Sequence, residues 1–172
     1  MKEEGLCDAV GLAMGRIDVM LPILRDREFD VLISHNRYTL LNRQADEMFS
    51  YAHDAGVAIV NAAPFASGVL AKGSNTMPRI TYMEADDAAL APVREIEAIC
   101  ARHQIPVAAA ALQLSTRDPR ITSTIVGVSK PQRVQQTLDW AAVPIPDAAW
   151  EELHAFPFST RDPEADRVYT LG

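Results

Sequence analysis

Apolar residues along this chain gather into short continuous runs, and these alternate with stretches of helical spacing. Asp8 to Ala13, Asp30 to Ser34, Val57 to Ala62 and Ile121 to Val128 are the four runs. The last is crowded with β-branched residues and poor in strong helix formers, and all four predict strands. Ile17, Met20, Leu21 and Leu24 recur at helical spacing and predict a helix over 17–25. Asn42 predicts the cap of a second helix over 44–54, closed by Gly56. A third runs from Asp87 to His103 behind an Asp86-Asp87 cap, and a short alanine-rich one opens at Pro106. Pro146 opens a last helix over 147–154. Lys2 to Leu6 predicts a helix end stopped by Gly5, and Pro64 to Gly68 predicts a loop. Residues 73–86 predict an irregular loop, and the polar stretch 157–172 predicts a loosely held tail.

Strand then helix, four times over, with a helical insertion before the last strand, predicts an α/β fold. Strands that are apolar throughout predict a parallel sheet covered on both faces. Two architectures satisfy this order: an open doubly wound sheet, or part of a (β/α)8 barrel. Both put function at the C-terminal ends of the strands. Met14 to Arg16, His35 to Tyr38, Asn61 to Gly68 and Gly127 to Arg133 fall there.

The Gly127 to Arg133 turn carries the most chemistry. Ser129 predicts the N-cap of the following helix, and Pro131 suits its first turn. A helix start offers unpaired N–H groups and a positive dipole end. Lys130 and Arg133 add cations, so the turn predicts an anion site, most naturally for phosphate. On pattern alone, a solvated pair of surface cations explains the same residues equally well.

Composition narrows the classes. With 172 residues the chain fits one domain, and 48% apolar with 23% charged residues is ordinary for a soluble globular protein. A net charge of −7 argues against nucleic-acid and anionic-membrane partners. Cys7 and Cys100 are isolated, which predicts a reducing compartment and no disulfide framework. Acid stands where a signal peptide carries base, and Ile105 to Leu114 is too short to span a bilayer, so a cytoplasmic location is expected. His53, His103 and His154 lack i, i+4 partners, and no metal site is expected.

Four segments carry a resemblance to the aldo-keto reductases. Ala62 to Leu70 resembles their Y-S-P-L-x-x-G-L-L segment, and Arg37 to Arg43 the segment after their sixth barrel strand. Gly5 to Leu12 resembles the approach to the fifth strand, and Gly127 to Arg133 the phosphate loop after the eighth. R-Y-T-L-L and N-A-A-P-F are shared with the galactose, fucose and threo-aldose dehydrogenase branch. The resemblance implies a partial (β/α)8 barrel, equivalent to strands five to eight, over residues 1–156, with 157–172 as a tail. It also implies an NAD(P)-dependent oxidoreductase acting on a sugar or a small aldehyde or ketone.

By position, the resemblance places Ser129, Lys130 and Arg133 on the adenosine-side phosphate and Gln136 at the adenine edge. Pro64, Phe65 and Ser67 would line the pyrophosphate, and His35 stands where the family usually has a glutamine for the nicotinamide amide. Two cations also suit a 2′-phosphate, which favours NADP over NAD. Several positions depart: Ala62 replaces the stacking aromatic, Ala13-Met14 a Ser-Asn pair, and Thr137 an Asn. The family's Asp, Tyr, Lys and His tetrad lies on strands two to four, which have no counterpart here. No catalytic residue is therefore assigned. Asp46 and Tyr51 copy the Asp-to-Tyr spacing but fall within a predicted helix. A half-barrel implies completion, by self-association into a homo-oligomer or by a complementary N-terminal half. The alternative is a non-catalytic dinucleotide-binding or remnant module.

Overall fold

A computed structural model describes residues 2–166. Strands β1 (Gly11–Ala13), β2 (Val31–His35), β3 (Ala58–Ala62) and β6 (Ser123–Ile125) form one parallel sheet in the order β1-β2-β3-β6. Helix α1 (Ile17–Asp26) joins β1 to β2, and α2 (Asp46–Asp54) joins β2 to β3. Between β3 and β6 lie α3 (Val69–Lys72), the hairpin strands β4 (Arg79–Ile80) and β5 (Met83–Glu84), α4 (Asp87–Arg102) and α5 (Val107–Thr116). Helices α6 (Gln132–Ala142) and α7 (Asp147–Ala155) follow β6.

The order runs along the sheet without reversing, so right-handed crossovers lay successive helices on the same face. Burial shows it. Leu32 and Ser34 on β2, with Ile59 and Asn61 on β3, are wholly buried. Their alternating neighbours Val31, Ile33, Val60 and Ala62 are only half-buried. The expectation of a sheet covered on both faces is therefore wrong, and a doubly wound sheet, which requires a reversal, is excluded. The core lies on the covered side, where Met20, Met48, Phe49, Val93, Ile96 and Ala109 close over Leu32 and Ile59.

Both outer strands stay open. Ile125 beside the β6 edge is 47% exposed, and Val134 and Leu138 on α6 are 49% and 58% exposed. Helix α6 buries no residue at all.

Local chemistry explains most boundaries. Asp86 caps α4 by accepting from Ala89 N at 2.8 Å. Asn42 does not cap α2: its Oδ1 accepts from Gln44 N at 2.9 Å, making a local turn, and the helix begins only at Asp46. Lys2 to Leu6 forms a turn rather than a helix end. The predicted loop at Pro64 to Gly68 closes into a 3-10 turn over Ala66–Gly68, and α3 continues it. Within the predicted irregular stretch, β4 and β5 pair Ile80 with Met83 across a two-residue turn. Thr81 and Tyr82 in that turn have φ of 50° and 68°. Such a turn favours Asn-Gly, so its sequence gives no warning.

The tail is not loosely held through residue 166. Arg43 N donates to Ser159 O at 2.9 Å, and Ser159 N to Leu41 O at 2.9 Å. Arg37, 1% exposed, pairs with Asp162 at 2.6 Å. The rest of the predicted tail, 167–172, lies outside the described residues.

Candidate functional site

The loop leaving β3 is the most contorted part of the chain. Ala63, Ala66 and Ser67 have φ of 57°, 46° and 64°, and Gly68 has 100°. For residues with a side chain, each left-handed position costs about 1–2 kcal/mol. Such strain persists only where surrounding structure enforces it, and it concentrates at functional sites. Here Ser67 Oγ accepts from Tyr82 N at 2.9 Å, fastening the loop under the hairpin tip.

This loop forms one wall of a cavity of about 490 Å³ at the C-terminal ends of β3 and β6. Pro64, Phe65 and Ser67 face it from the β3 side, and Arg133 and Gln136 from α6. Residues predicted from two segments far apart in sequence thus line one space. Phe65 and Trp140 meet edge-on with centroids 5.6 Å apart, forming an aromatic floor. Lys72, Tyr82 and Trp140 also line it, and none of them is a site residue that the sequence predicts. Lys72, the last residue of α3, is a second cation in the wall. Tyr82 arrives on the unpredicted hairpin. Trp140 comes from the third turn of α6, on the same wall as Arg133 and Gln136.

The α6 start differs from expectation. Ser129 does not cap it; Pro131, in helical conformation, flanks the helix with no side-chain cap. Arg133 N and Val134 N donate to Lys130 O and Pro131 O at 3.0 and 3.1 Å, so these two amides are already used. This helix start therefore offers an anion side chains more than a row of unpaired N–H groups. Ser129 and Lys130 are exposed and do not line the cavity, although they directly follow Val128, which does.

His35 does not line it either. It ends β2 in register with Ala62, on the half-buried face of the sheet. Its Nε2 is 3.2 Å from Oε1 of Glu164, a carboxylate whose side chain is 5% exposed. Asp46 is paired with Arg120 at 2.8 Å, and Tyr51 lies beneath the Arg25 guanidinium. Both sit on α2, as the sequence predicts. Among the described residues no cluster of His, Cys, Asp and Glu could hold a metal ion.

The site is therefore a strained loop and an opposing helix start, with two cations and aromatic walls around a space of small-ligand size. On a one-sided parallel α/β sheet, such a cavity suits a phosphorylated ligand with a flat ring system.

The profile of the Aldo/keto reductase family matches residues 1–156, and the chain belongs to that family. D-threo-aldose 1-dehydrogenase of a Pseudomonas species is 31% identical over 155 residues, covering 89% of this chain and 47% of that protein. Pyridoxal 4-dehydrogenase of Microbacterium luteolum is 28% identical over 156 residues, covering 90% and 46%. An aldo-keto reductase from Bacillus halodurans, solved in its apo form, superposes with a TM-score of 0.72 at 18% identity, covering 95% of this chain and 56% of that one. The chain thus spans about half the length of the curated relatives it matches. No helix among the described residues is long and apolar enough to cross a membrane.

Proposed function

We propose that this chain is the dinucleotide-binding half of an NAD(P)-dependent oxidoreductase acting on a sugar or a small aldehyde or ketone. The observation that carries the proposal is the shared cavity, where Pro64, Phe65, Ser67, Arg133 and Gln136 converge at the strand ends. When bound, the dinucleotide supplies or accepts the hydride. The chain's own residues bind and orient it. Arg133 presents a fork suited to phosphate, with Lys72 as a point charge on the same wall. Phe65 and Trp140 keep water from the flat part of the ligand. Ser129 and Lys130 approach from the exposed turn, adding positive charge at the mouth. His35, held by Glu164, orients the amide end of the ligand. With two or three cations nearby, NADP is the preferred form.

Residues 1–156 correspond to the last four strands of a (β/α)8 barrel, with the remainder as a tail. The one-sided cover, the two open parallel edges and the half-length matches support this. None of this chain's residues takes the acid–base role, so turnover belongs to a completed barrel. The exposed Ile125, Val134 and Leu138 favour completion, by a second copy or by a complementary half. A cytoplasmic setting agrees with two unlinked cysteines.

The test is titration of the full chain with NADPH and NADH, followed by cofactor fluorescence. Saturable binding that Arg133→Ala weakens about tenfold or more is expected from loss of a charge-assisted contact. Absence of saturable binding at millimolar cofactor overturns the proposal.

A further inference from the structure

A second cavity, also about 490 Å³, shares no lining residue with the first. It lies among α5, the loop before β6 and α7, with Tyr38, Arg117, Arg120, Asp147, Trp150 and His154 in its walls. The two cavities are joined through Gln113, another wall residue. Its Nε2 donates to Trp140 O and Val143 O at 2.9 and 2.7 Å, and the Trp140 ring lines the first cavity.

The charges in this second space are unevenly satisfied. Arg120 is committed to Asp118 and Asp46, at 2.7 and 2.8 Å. Asp118 is thereby neutralised. Arg117 is different: its guanidinium lies 5.1 Å from the Trp150 ring centroid and forms no hydrogen bond or ion pair with any described residue. The His154 ring stacks on Trp150 at 5.6 Å and 26°. Trp150 is 8% exposed, yet its indole N–H has no hydrogen-bond partner. Asp147 also faces the cavity, but it sits in the first turn of α7, where the helix dipole offsets its charge.

We infer that this cavity is a binding site for a small planar organic anion, an aromatic carboxylate in chemical class. Arg117 supplies the fork that a carboxylate meets with two parallel bonds. The exposed imidazole of His154, backed by the Trp150 indole, supplies the face that a flat ring covers. The volume lies within the range of ordinary small-molecule sites. Binding here is separate from dinucleotide binding.

The chain holds two tryptophans, so Trp140→Phe leaves Trp150 as the sole reporter. This variant of the full chain is titrated with benzoate, with acetate as the comparison, while Trp150 emission is followed. Benzoate is expected to quench it saturably and to bind at least tenfold tighter than acetate. Adding Arg117→Ala weakens benzoate about tenfold, whereas adding Asp147→Asn, which removes a like charge, tightens it. Adding Arg133→Ala changes nothing. Three results overturn the inference: no saturable response at millimolar benzoate, an unchanged affinity in Arg117→Ala, or acetate binding as tightly. Loss of the response in Arg133→Ala also overturns it, by placing the probe in the dinucleotide cavity. Cofactor titration is scored separately on the chain that keeps Trp140 and on its Arg117→Ala and Arg133→Ala variants, so failure of either site is visible alone.

Discussion

Tyr38 donates its phenolic hydrogen to Oδ2 of Asp118 over 2.5 Å, tying the loop after β2 to the loop before β6. Arg120 completes the knot, donating to Asp118 at 2.7 Å and to Tyr38 Oη at 3.1 Å. Burial, with the bond to Asp118, pushes the Tyr38 phenol up to about 12. Burial alone would raise Asp118, but the bonds from Arg120 and Tyr38 outweigh it and hold the carboxyl at about 2.

These shifts set the pH dependence of stability. The folded pKa of Asp118 lies below its ordinary 3.8, so its contribution is complete above that value and is lost as pH falls toward 2. Tyr38 runs the other way: its contribution is complete below pH 10 and is lost as pH rises through 12. Denaturant midpoints measured across pH should fall at both ends. Asp118→Asn should flatten the acid limb and lower the midpoint at neutral pH.

Arg37→Leu should release the tail. The buried guanidinium pairs with Asp162 at 2.6 Å and approaches Glu164 at 3.8 Å, so its removal leaves carboxylates without their cation. Breaking such a buried pair costs about 3–5 kcal/mol. Urea denaturation should show that loss, and limited proteolysis should cut within 157–166 sooner than in the parent chain.

Ala63→Gly should stabilise the protein. At φ 57° the alanine bears a left-handed penalty that glycine avoids. The net gain is about 0.5–1 kcal/mol after glycine's extra entropy in the unfolded chain. Thermal unfolding should shift up by about 2–4 °C per kcal/mol gained. An unchanged or lower midpoint would show that the loop is not strained at this position.

Leu138→Lys should reduce association while sparing the fold. The side chain is 58% exposed on a helix that buries nothing, so stability should move by no more than about 0.5 kcal/mol. Sedimentation velocity should show less dimer or aggregate than the parent chain. Equal association in both proteins would remove α6 from the completing interface.

Much of the fold was readable because period and composition agree within single segments. The apolar runs at Asp30 to Ser34 and Val57 to Ala62 and the stripe Ile17, Met20, Leu21, Leu24 place β2, β3 and α1 to within about a residue at most ends. The Asp86 cap places the start of α4. The hairpin at Arg79 to Glu84 was not readable, since its turn holds Thr81 and Tyr82 rather than turn-forming residues. Tyr82 was lost from the expected site for the same reason.

By itself, the sequence determined the alternation of strands and helices, the family, and the two distant segments that supply Phe65 and Arg133. Each of these depends on local propensity or on a motif held within a few residues. Only the tertiary structure decided that one face of the sheet stays uncovered, because apolar strands look alike whether helices cover one side or both. Only it set Lys72 in the cavity wall and left Lys130 outside, and only it turned the polar tail into a strap through Arg37. Those outcomes depend on which side chains meet across distances that no local pattern encodes.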